Sequence, residues 1–210
     1  MRSASILLIG AGGHAAACID VIEEDGQFTV AGLVGSAAEV GGRVLGYPVL
    51  GTDEDLSALV ADHPIVLIAV GHIKTPEPRV RLFCRLQDLG CQMPKIVSPR
   101  AHVSRHATLG IGTIVMHGAV VNAAAVVGRN CIINSLALVE HGVVIADHCH
   151  IATSAAVNSG VQIGACTFIG SQASVRQSVR IGERCLIGMG QRVITDCIDG
   201  AHIPAIKAVS

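Results

Sequence analysis

A hydrophobic repeat with a period of six residues runs through the C-terminal half of the chain. From Val97 to Val193, every sixth residue is Val, Ile or Leu, at seventeen consecutive positions. Four residues after each of them the side chain is almost always small or β-branched, and only Gln191 breaks this second series. Ordinary half-buried strands would instead alternate with a period of two. The pattern therefore predicts a parallel β-helix in which every hexapeptide points one aliphatic and one small side chain inward.

The scarcity of aromatic residues agrees with such a fold. Apolar residues make up 50% of the chain, yet it contains three Phe, one Tyr and no Trp. Val, Ile, Leu and Ala must fill the interior, which suits a core too narrow for rings. Cys131, Cys149 and Cys185 are separated by 18 residues or a multiple of it, so coils of three hexapeptides would stack them in one interior column. We therefore interpret these cysteines as packing residues without a redox or metal-binding role.

Charge, cysteine spacing and hydropathy disfavour a nucleic-acid-binding protein, a disulfide-rich secreted protein and a membrane protein. The formal net charge is −1 and no run of Lys or Arg could follow a phosphate backbone, so we expect no nucleic-acid partner. The eight cysteines include no CxxC pair, which favours free thiols in the cytoplasm. The first seventeen residues have some features of a signal peptide, but their glycines favour a strand and a loop. No apolar run reaches the ~18 residues of a membrane span, so we expect no membrane insertion.

A glycine-rich turn follows the first predicted strand. Residues 5–9 are predicted to form the strand, and a helix is predicted to continue to about residue 25, with the segment from Gly10 to His14 between them. Glycines in such a turn let the backbone approach a phosphate at the helix N-terminus, although the same pattern also forms plain tight turns. The second predicted strand does not end in the acidic residue that NAD binding requires, and this disfavours a nicotinamide cofactor.

The remaining elements of the N-terminal region complete an α/β pattern. Thr52 and the three acidic residues after it should open a helix by capping and by complementing its dipole. Residues 65–70 are predicted to form a buried strand, and Pro78 should begin a further helix. We therefore predict an α/β Rossmann-like domain over residues 1–95, a β-helix domain over residues 96–198 and a C-terminal tail over residues 199–210.

The histidines of the repeat region do not occupy the inward positions. We therefore expect each of them on the solvated surface or in an active site. Zinc is an alternative, because His106 and His141 have about the separation of the first two ligands in trimeric β-helix carbonic anhydrases, but the third position holds Ala146. We expect no metal. The six residues are His102, His106, His117, His141, His148 and His150.

Taken together, these features resemble the bacterial sugar acyltransferases that include the sialic-acid O-acetyltransferases and the bacillosamine-pathway N-acetyltransferases. The likeness extends over nearly the whole chain and depends on the order of its motifs. They are the turn from Gly10 to His14, the segment Gly46-Tyr47-Pro48-Val49-Leu50-Gly51, Asn134 followed by Glu140-His141, His150, the uninterrupted repeats, and Pro204-Ala205-Ile206-Lys207.

This resemblance implies a left-handed β-helix with coils of 18 residues, and a homotrimer with active sites in the clefts between neighbouring subunits. It implies acetyl transfer from acetyl-CoA to a nucleotide-linked amino sugar, as in polysaccharide biosynthesis. The N-terminal domain would bind the nucleotide sugar, with Gly10, Gly12, Gly13 and His14 near its phosphates.

The resemblance also assigns roles within the repeats. His141 would be the general base, since neutral imidazole can accept a proton near neutral pH, and Asn134 and Glu140 are grouped with it as catalytic candidates. Glu140 precedes the histidine and should point elsewhere in a strand. The reaction would need no metal. Acetyl-CoA would lie along the β-helix near His150, Ser159, Gly160, Pro204 and Lys207.

Two departures from the family pattern keep alternatives open. The family usually has Glu or Asp directly after the catalytic histidine, and this chain has Gly142. The acidic pair that ends the second strand in the family is replaced by Gly35 and Ser36. A sugar O-acetyltransferase is one alternative, because His141 would serve a hydroxyl as well as an amine. A trimeric binding or scaffold protein with weak catalysis is the other.

Overall fold

The chain forms two units that each contain their own core. The computed structural model describes residues 4–205. The first unit comprises residues 4–71 and 77–98, and the second comprises residues 72–76 and 99–205. The division after residue 98 falls near the domain boundary expected at residue 95. The short excursion of residues 72–76 into the second unit is not evident from the sequence.

The first unit is a Rossmann-like α/β fold. Strand β1 lies between β2 and β5 in a five-stranded sheet with the order β3-β4-β2-β1-β5, and all neighbours are parallel except β3 and β4. The α/β prediction is confirmed. Its elements are β1 (Ala4–Ile9), α1 (Gly13–Asp25), β2 (Phe28–Val34), β3 (Arg43–Val44), β4 (Tyr47–Gly51), a 3-10 helix (Asp53–Asp55), α2 (Leu56–Asp62), β5 (Val66–Ile68), α3 (Glu77–Asp88) and β6 (Ile96–Val97).

Local sequence explains where these elements begin and pack. Leu7 and Ile9 of β1 are fully buried in a cluster with Phe83 of α3, as the apolar run of this strand predicts. The side chain of Thr52 accepts a hydrogen bond from the backbone of Glu54, and the Asp55 carboxylate accepts one from the backbone of Thr52. This capping box satisfies backbone donors at the start of the 3-10 helix, which leads into α2.

The second unit is a left-handed parallel β-helix with three faces. Each coil contributes one two-residue strand to each face. The first face contains β7 (His102–Val103), β10 (Val120–Val121), β13 (Leu138–Val139), β16 (Ala156–Val157), β19 (Ser174–Val175) and β22 (Arg192–Val193). The second contains β8 (Thr108–Leu109), β11 (Val126–Val127), β14 (Val144–Ile145), β17 (Gln162–Ile163) and β20 (Arg180–Ile181). The third contains β9 (Ile114–Val115), β12 (Ile132–Ile133), β15 (His150–Ile151), β18 (Phe168–Ile169), β21 (Leu186–Ile187) and β23 (His202–Ile203).

The inward register of the repeat is confirmed. From Val115 to Val193, every aliphatic residue of the six-residue series is at most 3% exposed. The predicted column of small residues is also present in the interior, and its polar members bond to carbonyls of the next coil. Thr113 Oγ1 donates to the Gly128 carbonyl at 2.8 Å, and Cys131 Sγ donates to the Ala146 carbonyl at 3.3 Å. These thiols and hydroxyls therefore donate hydrogen bonds to backbone carbonyls and leave no unpaired donor of their own in the narrow core.

The corners between the faces require a left-handed backbone conformation. From residue 112 to residue 190, every sixth residue has a positive φ, and glycine occupies only five of these fourteen positions. This conformation costs a non-glycine residue about 1–2 kcal/mol. The β-helix therefore imposes it at the corners on Ala124, Asn130, Leu136, His148, Ser154, Cys166, Gln172, Ser178 and Arg184.

Candidate active site

A cleft of about 650 Å³ opens in the first unit at the carboxyl ends of its parallel strands. This is the edge at which open α/β sheets bind ligands, and the volume lies within the usual range for small-molecule sites. The cleft includes the four residues that the sequence predicted for substrate binding. Its lining includes Gly10, Gly12, Gly13, His14, Ser36, Glu39, Asp53, Glu54 and Gly71.

The glycines of the β1–α1 turn have two different roles. Gly10 has a φ of +121°, and a Cβ there would lie 2.8 Å from Cγ2 of Val70, so this glycine allows the turn after β1 to approach the segment that follows β5. A Cβ on Gly12 or Gly13 would meet no atom within 4 Å. Gly12 is the N-cap of α1, and no side chain caps it. The open backbone at this helix N-terminus can therefore receive an anionic group.

His14 contributes a neutral imidazole to the same turn. Burial, and to a smaller extent the Arg79 guanidinium, lowers the pKa of His14 from 6.5 to about 4. Its Nε2 lies 3.5 Å from Sγ of Cys18, one helical turn later. Arg79 donates hydrogen bonds to the carbonyls of Ile68 and Val70 and so holds the end of β5. His14 is therefore uncharged at neutral pH and can offer hydrogen bonds to a ligand without adding a charge.

Glu39 is a lining residue of the cleft that the sequence did not reveal. Its carboxylate accepts hydrogen bonds from the backbone N–H of Ser36 at 2.8 Å and from the Ser36 hydroxyl at 2.7 Å. These bonds lower its pKa. A Cβ on Gly35 would lie 3.0 Å from this carboxylate, so the glycine provides its space. The cleft thus has a carboxylate from the loop after β2, although β2 itself does not end in an acidic residue.

In the second unit, His141 lies at the corner between the first and second faces. Its Nε2 is 2.9 Å from Oγ of Ser159, which occupies the same corner one coil later. The two coils are held in register, because the N–H of Gly160 donates to the His141 carbonyl at 3.1 Å. The structure therefore brings together His141, Ser159 and Gly160, although the resemblance placed them in two different groups.

Glu140 does not contact the imidazole of His141. Its carboxylate instead accepts the backbone N–H of His141 at 3.1 Å, in agreement with the expectation that it points elsewhere. Gly142 has a φ of +66° and occupies one of the left-handed corner positions. Within residues 4–205, no carboxylate forms a hydrogen bond with the imidazole of His141.

Asn134 and His150 form a second group beside the third face, where Asn134 follows β12 and His150 lies in β15. The side-chain nitrogen of Asn134 lies 3.2 Å from Nε2 of His150, and Oδ1 of Asn134 accepts the backbone N–H of Ser135 at 2.8 Å. The Nδ1 of His150 donates to the carbonyl of His72, whose segment belongs to this unit. The ring of Phe168 meets that of His150 edge-on, with centroids 5.2 Å apart. Both ring nitrogens of His150 are thus engaged.

This arrangement corrects the prediction for the outward histidines. We expected every histidine of the repeats to be either a solvated residue or an active-site residue, and excluded a buried, satisfied one. His150 points outward from the β-helix, yet it is only 6% exposed. The reason is that residues 72–76 come from a distant part of the sequence and pack against it, which the repeat pattern does not indicate.

The remaining predicted residues lie near the end of the β-helix or outside the described residues. The Pro204 carbonyl accepts a hydrogen bond from Nε2 of Gln191 at 2.6 Å. Lys207 lies outside the described residues. Among residues 4–205, no three His, Cys, Asp or Glu side chains are grouped as a metal site requires. No helix in this range combines the length and hydropathy needed to cross a membrane.

Comparison with known proteins places the chain among enzymes of this architecture. The PglD N-terminal domain family matches residues 5–86. A mutant of perosamine N-acetyltransferase from Caulobacter crescentus, in complex with CoA and GDP-perosamine, is 31% identical with a TM-score of 0.89, over 95% of this chain and 93% of that one. The acetyltransferase domain of PglB from Neisseria gonorrhoeae, in complex with acetyl coenzyme A, is 28% identical with a TM-score of 0.85, over 96% of each chain.

WeeI from Acinetobacter baumannii has the same fold at 20% identity, with a TM-score of 0.76 over 95% of this chain and 96% of that one. No curated protein matches the sequence. A Rossmann-like unit followed by a left-handed β-helix of hexapeptide repeats defines a hexapeptide acyltransferase. The chain belongs to the bacterial sugar acetyltransferase family, as the resemblance predicted.

Proposed function

We propose that the protein is an acetyl-CoA-dependent N-acetyltransferase that acts on a nucleotide-linked amino sugar. The observation that carries this proposal is the combination of an open anion-binding turn in the first unit and an imidazole at a corner of the β-helix. The similar enzyme from Caulobacter crescentus, which binds CoA and GDP-perosamine, supports the same substrate classes.

The nucleotide part of the substrate occupies the cleft of the first unit. Its diphosphate lies over Gly12 and Gly13, where backbone N–H groups at the N-terminus of α1 stabilise negative charge. His14 contributes uncharged hydrogen bonding beside the phosphates. The nucleoside extends towards Ser36 and Glu39 at the end of β2, which is the usual direction in Rossmann-like sites.

Acetyl-CoA binds along the β-helix, with Gly160 and the region of Pro204 near it. The amine of the sugar attacks the thioester carbonyl carbon, and His141 accepts the proton that the amine loses. The tetrahedral intermediate then expels the CoA thiolate, which takes a proton from the imidazolium. Backbone N–H groups can stabilise the oxyanion, and Asn134, held by His150, is positioned for the acceptor group. This scheme requires no metal.

The proposal includes a homotrimer in the cytoplasm. His141 with Ser159 and Asn134 with His150 lie at different positions around one β-helix, so a complete site requires a second subunit to bring such groups together. We expect sedimentation equilibrium to give a species of three chains. A stable monomer at micromolar concentration would contradict the trimer.

The direct test is acetyl-CoA consumption with a panel of nucleotide-linked amino sugars. Loss of thioester absorbance is the suitable readout, because accessible cysteines of the protein, such as the exposed Cys84, would also react with a thiol reagent. We expect turnover with at least one nucleotide-linked amino sugar, and much less with the same sugar lacking its nucleotide. Turnover only with hydroxyl acceptors would favour a sugar O-acetyltransferase. No turnover together with no CoA binding would favour a trimeric scaffold.

A further inference from the structure

We propose that Ser159 is a positioning residue for His141, and that Nδ1 of this histidine is the atom that accepts the proton. The inference rests on the proposed function, in which His141 is the general base. The family normally places a carboxylate directly after this histidine, and Gly142 cannot supply one. Ser159 takes over the orienting role from the next coil of the β-helix.

The contacts of His141 support this assignment. Nε2 lies 2.9 Å from the Ser159 hydroxyl, whereas Nδ1 forms no hydrogen bond with any residue in the described range 4–205. A neutral imidazole has one N–H and one lone pair, on different nitrogens. When Nε2–H donates to Ser159, the lone pair is on Nδ1 and is available to the substrate.

The fold fixes this contact. His141 and Ser159 are 18 residues apart, and the strands before them, β13 and β16, pair in parallel register from Leu138 and Ala156 onwards. The bond from the N–H of Gly160 to the His141 carbonyl holds the corner itself. The Ser159 hydroxyl therefore sits above the imidazole because of the coil repeat, so little side-chain entropy is lost when the contact forms.

The hydroxyl serves both protonation states of the base. It accepts Nε2–H while the imidazole is neutral, and it continues to accept it after Nδ1 has taken the proton of the sugar amine. Since a hydrogen bond to a charged group is stronger than one to a neutral group, the contact stabilises the imidazolium that forms during the reaction. A serine does this less strongly than a carboxylate, because it carries no charge.

Replacement of the hydroxyl tests the inference. We expect Ser159→Ala to lower kcat about tenfold and to leave the KM for acetyl-CoA nearly unchanged. Ser159→Thr should restore most of the rate because it keeps the hydroxyl. Ser171→Ala is the matched control: Ser171 occupies the same turn position twelve residues later, is similarly half-buried, and its side chain has no hydrogen bond in the described range. This control should have the wild-type rate.

A double-mutant cycle shows whether Ser159 acts through His141. In a His141→Asn background, Ser159→Ala should cause little further loss of rate, because the group it orients is gone. Additive losses would overturn the inference. A raised KM for acetyl-CoA with unchanged kcat would also overturn it, since Ser159 would then be a CoA contact. If His141→Asn itself has the wild-type rate, the general base is wrong; if only Ser159→Ala is silent, the base stands and the positioning role fails.

The tautomer can be measured without altering Ser159. In histidine-labelled protein, ¹⁵N NMR should show Nε2 protonated and Nδ1 unprotonated for His141 at a pH where the ring is neutral, with the His141→Asn spectrum providing the assignment. A proton on Nδ1 would contradict the proposed base atom even if the Ser159 variants failed to fold.

Discussion

Two pairs of glycines, one in each unit of this protein, serve opposite purposes. In the β-helix, a Cβ on Gly110 or Gly164 would lie 2.5 Å from the backbone of the next coil, so these glycines allow coils to stack. In the turn of the first unit, a Cβ on Gly12 or Gly13 would meet nothing. Gly12 and Gly13 thus leave backbone open to a ligand in the first unit, whereas Gly110 and Gly164 allow neighbouring coils to pack in the second.

The largest expected effect concerns the core of the β-helix. Ile151 is fully buried, and Ile151→Asp places a charge without a partner in a core too narrow for it to reach water. We expect loss of the cooperative fold, measured by circular dichroism and thermal unfolding. Val126→Asp is a matched control, because Val126 points outward and is 43% exposed. A soluble, cooperatively folded Ile151→Asp protein would contradict the inward register.

The next largest effect is expected on the catalytic rate when His141, on the surface of the β-helix, is replaced. His141→Asn should keep the fold and the binding of acetyl-CoA but lower kcat by roughly 10²- to 10⁴-fold, the usual contribution of a positioned base. His106→Asn provides a control, since His106 is also an exposed histidine of the repeats. Equal rates for the wild type and the His141 variant would remove this residue from the chemistry.

Acid should weaken the first unit through His14. The pKa of His14 is about 4 in the folded protein and near 6.5 when unfolded, so only the unfolded chain takes up the proton between these values. Above pH 6.5 the imidazole is neutral in both states and does not lower the free energy of unfolding. As the pH falls from 6.5 towards 4, proton uptake by the unfolded chain lowers the free energy of unfolding. The total is roughly 3 kcal/mol at most.

Tyr47 is the only tyrosine and the chain has no Trp, so its fluorescence reports unfolding of the first unit. Urea unfolding of the wild type should show the loss of stability over this pH range, and His14→Gln should show less of it. Identical pH dependence in both proteins would mean that carboxylates, and not His14, control the acid response.

A smaller effect is expected at the open turn. Gly12→Val introduces a side chain where the backbone must approach a phosphate, so affinity for the nucleotide sugar should fall about tenfold or more. Folding should be retained, because the added Cβ meets no atom and the φ of −76° suits any residue. Isothermal titration should show unchanged affinity for acetyl-CoA. Loss of both affinities would indicate misfolding.

The smallest effect is expected beside His141. Gly142→Glu should cost about 1 kcal/mol, because φ is +66° there, but the equivalent Ala124 one coil earlier adopts the same conformation. A carboxylate next to the imidazole favours the imidazolium, so the acidic limb of the pH–rate profile should move to higher pH by less than about one unit. If the Gly142→Glu protein folds and the acidic limb of its pH–rate profile stays at the wild-type pH, Ser159 alone sets the orientation of His141.

The repeat determined the β-helix from sequence alone, because its narrow interior accepts only one aliphatic and one small side chain per hexapeptide. Val115 and Cys131 could be assigned inward positions for this reason, and the turn from Gly10 to His14 indicated a phosphate-binding helix start. The family resemblance supplied His141, and the corner geometry then explained why this side chain is exposed.

Contacts between distant segments could be decided only by the tertiary structure. The burial of His150 depends on residues 72–76, the acidic group of the cleft depends on the loop that carries Glu39, and the contact of His141 depends on a serine 18 residues later. The sequence also did not predict the left-handed backbone conformation at the corners, because nine of the residues that adopt it are not glycine. Periodicity determines which way a side chain points, but its partner is set by which segments the fold brings together.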